Sequence, residues 1–125
     1  MEKLKFINEQ FEAIGIPYEF TQWSSAVKYP YYVGELTEEP IAVESGLEES
    51  TLLVTGFHRG QLLTMMEDVE RIKKHFPPIY GLRGETESGA AIAVFFERAF
   101  SIPSGEAGMS KVQINLKIKI WKGAM

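Results

Sequence analysis

The chain has 125 residues, 45% of them hydrophobic, which suits one core-bearing domain and is too balanced for a disordered tail or a fibre. Its net charge of −4 and sequence pI of about 5.2 argue against a nucleic-acid binder working through a basic face. Cysteine is absent, so disulfides, thiol catalysis and thiolate metal sites are excluded together, while the redox compartment stays open.

Residues 2–14 predict a helix, because Leu4, Ile7, Phe11 and Ile14 form one apolar stripe. Gly15 ends it and Pro17 blocks its continuation. This N-terminus, MEKLKFINEQF, is too polar for a signal peptide. No apolar run in the chain approaches the roughly 20 residues of a membrane span, and the cytoplasm is the expected compartment. A short aromatic strand over Tyr18–Trp23 follows, then a connection from Ser24 to Tyr29. A second strand is expected over Tyr29–Leu36, with Pro30 near its start, where a strand tolerates proline.

Between about 35 and 50 the composition changes. Glu35, Glu38, Glu39, Glu44, Glu48 and Glu49 have no Lys or Arg among them, and Pro40 and Gly46 break any period. The segment predicts an exposed loop or insertion, serving either as a solvated connection or as an acidic arm for a basic partner. Thr51–Gly60 returns to a strand pattern, with Leu52 and Val54 on one face and Leu53, Thr55 and Phe57 on the other.

Gln61–Phe76 is the strongest predicted helix. Leu62, Met65, Met66, Val69, Ile72 and Phe76 are expected inside, and Glu67, Asp68, Glu70, Arg71, Lys73 and Lys74 outside. Pro77-Pro78 stops it. A short strand is expected over Tyr80–Glu87, and a turn at Ser88-Gly89. Ala90–Ile102 then reads as a long strand with Ile92, Val94, Phe96, Phe100 and Ile102 on one face, interrupted by Arg98. The Pro/Gly/Ser segment Pro103–Ser110 leads to the clearest strand of all, Lys111–Trp121. There Val112, Ile114, Leu116, Ile118 and Ile120 alternate with Gln113, Asn115, Lys117 and Lys119. Two long strands about a short polar loop predict a C-terminal β-hairpin. The whole is a single domain, residues 1–125, of α+β class: a mainly antiparallel β-sheet with two α-helices packed on one face.

Catalytic patterns are thin. His58 and His75 are the only histidines and Asp68 the only aspartate; both histidines are expected at surface or boundary positions. No His-Glu-x-x-His spacing and no G-x-S-x-G elbow occurs, and the glutamates gather on solvated segments. The chain is therefore not expected to be an enzyme, and no catalytic, cofactor or metal residue is assigned. GFHRG (Gly56–Gly60) lies between a strand and a helix N-terminus, where an anion could sit beside Arg59, but a plain turn is the expected reading. The charge layout is the more specific feature. The acidic segment carries one sign, and Lys111, Lys117, Lys119 and Lys122 at the closing strand carry the other. Opposed patches on a small domain suit a head-to-tail contact between copies. The candidate interface residues are Glu38, Glu39, Glu44, Glu48, Glu49, Lys117 and Lys119.

Five features together resemble a known family. They are the short first helix ending near GIPYEF, the YPYYVGE strand with its acidic excursion, LLVTGFHRG leading into one amphipathic helix, the FPP stop, and the closing IPSGEAGMSKVQINLKIKIW. Over nearly its whole length the chain looks like the small tail components of long-tailed bacteriophages and prophages, the tail terminator or tail completion proteins. The resemblance implies a structural protein of the virion tail, assembled in the host cytoplasm. Its subunits would form a ring, typically a hexamer, on the end of the tail tube. That ring would stop tube polymerisation and meet the head–tail connector protein, with no catalytic residue, cofactor, nucleic acid or membrane involved. The second expectation is a non-enzymatic peptide- or ligand-binding accessory domain, motivated by Trp23, Tyr29, Tyr31 and Tyr32. An enzyme working through His58 and a glutamate would require His58 in a cleft beside a buried carboxylate.

Overall fold

The computed structural model describes residues 2–20, 29–38, 47–102, 105 and 107–121. Helix α1 (Glu2–Ala13) leads into a three-residue strand, β1 (Tyr18–Phe20). Strands β2 (Tyr31–Glu38) and β3 (Leu47–His58) precede helix α2 (Leu62–His75), and β4 (Leu82–Glu85), β5 (Ala91–Ile102) and β6 (Ser110–Trp121) complete the chain. The six strands form one sheet in the order β1-β2-β3-β6-β5-β4. β1 lies parallel to β2, and every other neighbouring pair is antiparallel. The class is α+β on a mainly antiparallel sheet, with elements in the expected order.

The last strand sits at the centre of this sheet. It pairs with β3 from Leu47↔Trp121 to His58↔Ser110, and with β5 from Ala91↔Trp121 to Ile102↔Lys111. Its alternation is realised in burial. Ile114, Leu116, Ile118 and Ile120 are buried, while Lys117 and Lys119 are half-buried. The register extends this face across the sheet, setting Leu52 and Phe96 beside Leu116, Val54 beside Ile114, and Ile92 beside Ile120. Ile7 and Phe11 of α1, Met65 and Ile72 of α2, and Phe76 join these residues in a single core cluster. Burying each large apolar side chain there contributes roughly 1.5–3 kcal/mol. Phe11 stacks on Tyr18 with ring centroids 4.4 Å apart and meets Phe76 at 5.7 Å, so three aromatics tie the first helix, the edge strand and the end of α2.

One glycine position shapes the core. Gly56 stands directly opposite Tyr32, and a Cβ there would lie 2.6 Å from the Tyr32 ring. The missing side chain is the space the tyrosine fills.

The structure departs from expectation at four places. First, β2 runs past the expected end at Leu36 to Glu38 and β3 begins at Leu47, so Glu38, Glu48 and Glu49 lie on strands and not in an acidic loop. Their pairing with neighbouring strands overrides a composition that reads as loop. Second, β5 carries a bulge between Phe96 and Arg98. Without it, Arg98 would stand opposite Ile114 and bury its charge. With it, Arg98 faces Asn115 and Ala99 takes the inward place. Phe100 and Ile102 therefore lie on the outer face, opposite Gln113 and Lys111, and not with Ile92 and Val94. Third, the inward stripe of α2 is Met65, Asp68 and Ile72; Leu62 and Met66 are 57% and 56% exposed. Fourth, His58 is buried, at 6% exposure, where a surface or boundary position was expected. Glu39, Glu44, Trp23, Lys122 and most of the two connections at 21–28 and 39–46 lie outside the described residues.

Candidate functional site

Three groups of side chains stand out, and they differ in how far their polar atoms are satisfied.

The first is a buried clasp. Tyr32 donates its phenol proton to Asp68 Oδ2 at 2.7 Å and also contacts Met65 Sδ at 3.0 Å. The other carboxylate oxygen of Asp68 pairs with Arg71, whose guanidinium donates to the Ile14 carbonyl at 2.7 Å. Asp68 is 3% exposed. Burial pushes the Tyr32 phenol well above its usual range, and the hydrogen bond to Asp68 and the carboxylate's charge push the same way. The chain of contacts joins β2, α2 and the end of α1. Every group in it has a partner, so it acts as a structural bolt. Asp68 had been expected on the outside of the helix; only its i, i+3, i+7 relation with Met65 and Ile72 could have shown otherwise.

The second group is the outer face of the sheet. Glu49 and Lys119, opposite one another on β3 and β6, form an ion pair at 3.8 Å, each side chain 36% exposed. Lys119 also lies over the Phe95 ring at 5.5 Å, and Lys117 stands opposite Thr51 and Phe95. Glu49, Phe95, Lys117, Lys119, Pro78 and Ile79 line a shallow groove of about 510 Å³. Glu49 and Lys119, one from each predicted patch, thus meet within one subunit. Glu48, opposite Ile120, belongs to the other face. Glu38 ends β2, and Glu39 and Glu44 fall outside the described residues.

An aromatic row crosses the same outer face further along. Tyr31 stacks on Phe57 at 4.8 Å and meets Tyr29 at 5.3 Å; Arg59 lies over Tyr29 at 5.2 Å and Lys111 over Phe57 at 5.3 Å. Cation–π contacts at exposed positions contribute about 0.5–1 kcal/mol each. Tyr32 is plain core at 0% exposure, so the tyrosines do not converge on one recognition cleft. Arg59 is occupied with Tyr29 and, at 3.4 Å, with the Ala107 carbonyl, while its backbone N–H donates to Gln61 Oε1 at 2.7 Å. This is the geometry of a turn, with the guanidinium engaged by its neighbours.

The third group is an open cleft of about 380 Å³ between the first half of α2 and the ends of β3, β5 and β6. His58, Met65, Met66, Val69 and Ala99 line it, with Leu62 at the rim. The lining is mainly apolar with a single buried polar anchor: His58 Nδ1, which has no hydrogen-bond partner among the described residues. A buried polar atom without a partner costs about 1–3 kcal/mol, and structures rarely leave one so. Glu70 also lines the cleft but is exposed, so among the described residues no buried carboxylate of the kind acid–base chemistry would require lines the cleft with His58. The signal that could have placed His58 was parity. It continues the inward series Leu52, Val54, Gly56 by one more step of two.

Among the described residues no cluster of three or more His, Asp or Glu could hold a metal ion, and no helix is long and apolar enough to cross a membrane. No family model matches the chain, and no curated protein matches it.

Proposed function

We propose that this chain is a structural protein of a long-tailed phage or prophage tail, a tail terminator or tail completion protein. Its subunits close into a ring of about six on the end of the tail tube, the number following from the resemblance. The ring ends tube polymerisation and offers its other side to the head–tail connector. In this reading both helices lie on the core face of the sheet, β5 and β6 form the closing hairpin, and the outer face is left for contact with neighbours. The chain is no enzyme and needs no cofactor; it assembles in the host cytoplasm and functions in the virion tail.

The observation that carries the reading is the outer face. Leu53, Phe57 and Phe95 are half-buried there yet belong neither to the core cluster nor to the residues packed on it. Charged side chains, Glu49, Lys117 and Lys119, rim them. An apolar centre with a charged rim is the anatomy of a protein–protein interface. The test is native mass spectrometry with negative-stain imaging, run with and without tail-tube subunits. Rings near six subunits, or capped tubes of uniform length, are expected. A protein that stays monomeric and ignores the tube protein would sink the reading.

The His58 cleft favours a second reading, an accessory domain holding a small ligand. Its volume falls within the range of small-molecule sites. Calorimetric or spectroscopic binding of a small amphiphile to the monomer, lost in Met66→Asp, is its expected signature.

A further inference from the structure

The cleft beside His58 has a counterpart on the same molecule. After α2 the chain makes a tight turn over Pro77–Tyr80, closed by the Gly81 N–H donating to the Pro77 carbonyl at 2.9 Å. At its apex Ile79 is 81% and Tyr80 75% exposed, among the most solvent-facing large apolar side chains described. The turn is held rigidly. Two prolines restrict its backbone, the Phe96 N–H binds the Phe76 carbonyl at 2.9 Å, and Gly81 lies so close on Phe95 that a Cβ would fall 2.7 Å from the ring. Two exposed apolar residues on a fixed turn form a knob whose ordering entropy is largely spent on folding, which is what a binding anchor needs.

The cleft asks for what the knob offers. An apolar body is needed against Met65, Met66 and Val69, beside the buried His58. The adjacent Ile79 and Tyr80 side chains supply one. Neither knob residue lines the cleft of its own chain: the cleft follows α2 from Leu62 to Glu70, and the knob comes after the helix's last residue. A knob and a hole at separate places on one subunit are the elements of a heterologous contact, which closes into a ring when the rotation per subunit permits.

We infer that Ile79 and Tyr80 of one subunit insert into the His58 cleft of the next. The inference rests on the ring reading above and supplies its contact. It also connects with the charged surface, because Ile79 lines the same shallow groove as Glu49, Lys117 and Lys119. The knob is the anchor, and that ion pair lies on its rim.

The chain's lack of cysteine makes the test direct. Tyr80→Cys and Met66→Cys proteins are prepared separately, mixed and oxidised. The expected result is a disulfide-linked dimer in the mixture and none in either protein alone. Self-linking of Tyr80→Cys would mean a two-fold contact and overturn the inference. In parallel, Tyr80→Ala should weaken assembly about tenfold or more, as loss of an interface anchor does, with thermal stability unchanged. Rings that form undiminished in Tyr80→Ala, or without the 80–66 link, overturn this contact and leave the ring reading standing. A wild-type chain that never assembles, with or without tube protein, removes both. Binding of a small amphiphile that persists undiminished in every assembled state assigns the cleft to a ligand and also overturns the inference.

Discussion

The two halves of α2 treat buried polarity in opposite ways. At the midpoint Asp68 is closed off by Tyr32 and Arg71, and in the second half Arg71 reaches the Ile14 carbonyl and His75 Nε2 meets Gln10 Oε1 at 2.8 Å. Each of these polar contacts is made within the chain, and Ile72 and Phe76 beside them are fully buried. In the first half Leu62, Leu63 and Met66 are more than half exposed, and His58, which shares a cleft with Leu62 and Met66, has a buried nitrogen with no partner among the described residues. One half is bolted to α1 and the sheet; the other projects over a cleft. One end of the helix thus has its polar groups paired within the chain, and the other leaves large apolar side chains exposed.

The contrast is broken most directly by Tyr32→Phe. The ring would keep its place opposite Gly56, but Asp68 Oδ2 would lose its donor in a buried site. Hydrogen bonds to charged groups contribute about 1.5–3 kcal/mol, and a loss of that size is expected in urea or thermal unfolding. An unchanged midpoint would mean that the clasp is no bolt.

The same deletion of polarity at the other half should do the reverse. His58→Leu removes a nitrogen that has no partner to lose, so monomer stability should hold or rise by up to about 1 kcal/mol. A clear loss of monomer stability would show that His58 is already satisfied within the subunit.

How much of this was readable in advance follows the same division. The central strand and the element order were legible because strong period-two and helical patterns, set by burial on one face, survive in Val112–Ile120 and in Ile7 and Phe11. The bulge was not. Arg98 interrupts the inward series of β5, and whether a strand tolerates, bends or slips at such a residue depends on its partner strand, which local pattern does not contain. Asp68 was misplaced because a charged residue in a helix is normally solvated, and its partner Tyr32 lies 36 residues away. Leu62 and Met66 were assigned inward because periodicity reports an apolar face without saying what covers it. The acidic segment was read as loop from its composition, yet the long β3–β6 ladder draws Glu48 and Glu49 into a strand.

A smaller effect is expected at the outer face. Glu49→Gln should cost the monomer well under 1 kcal/mol, because the pair with Lys119 is partly exposed and screened. Lys117→Glu with Lys119→Glu should likewise leave the fold intact but weaken assembly and its salt dependence, since both side chains flank the knob. Assembly that survives the double reversal unchanged would confine the contact to the knob and cleft.

The smallest effect concerns the second histidine. His75 is half-buried, and burial holds its imidazole below the usual value of 6.5. Burial disfavours the charged form in the folded state, so the folded pKa lies below the unfolded one and protons bind preferentially to the unfolded chain. The contribution is complete above the ordinary histidine range and is lost as pH falls from there through the lowered folded value. The position is partly solvated and lies in the last turn of α2, where the helix dipole favours a cation and opposes the burial term, so the slope should be shallow. In His75→Gln the fall in melting temperature on acidification through this window should be less steep than in wild type. An identical slope would place the pH sensitivity elsewhere, and the bolted half of α2 would then owe nothing to the neutral imidazole.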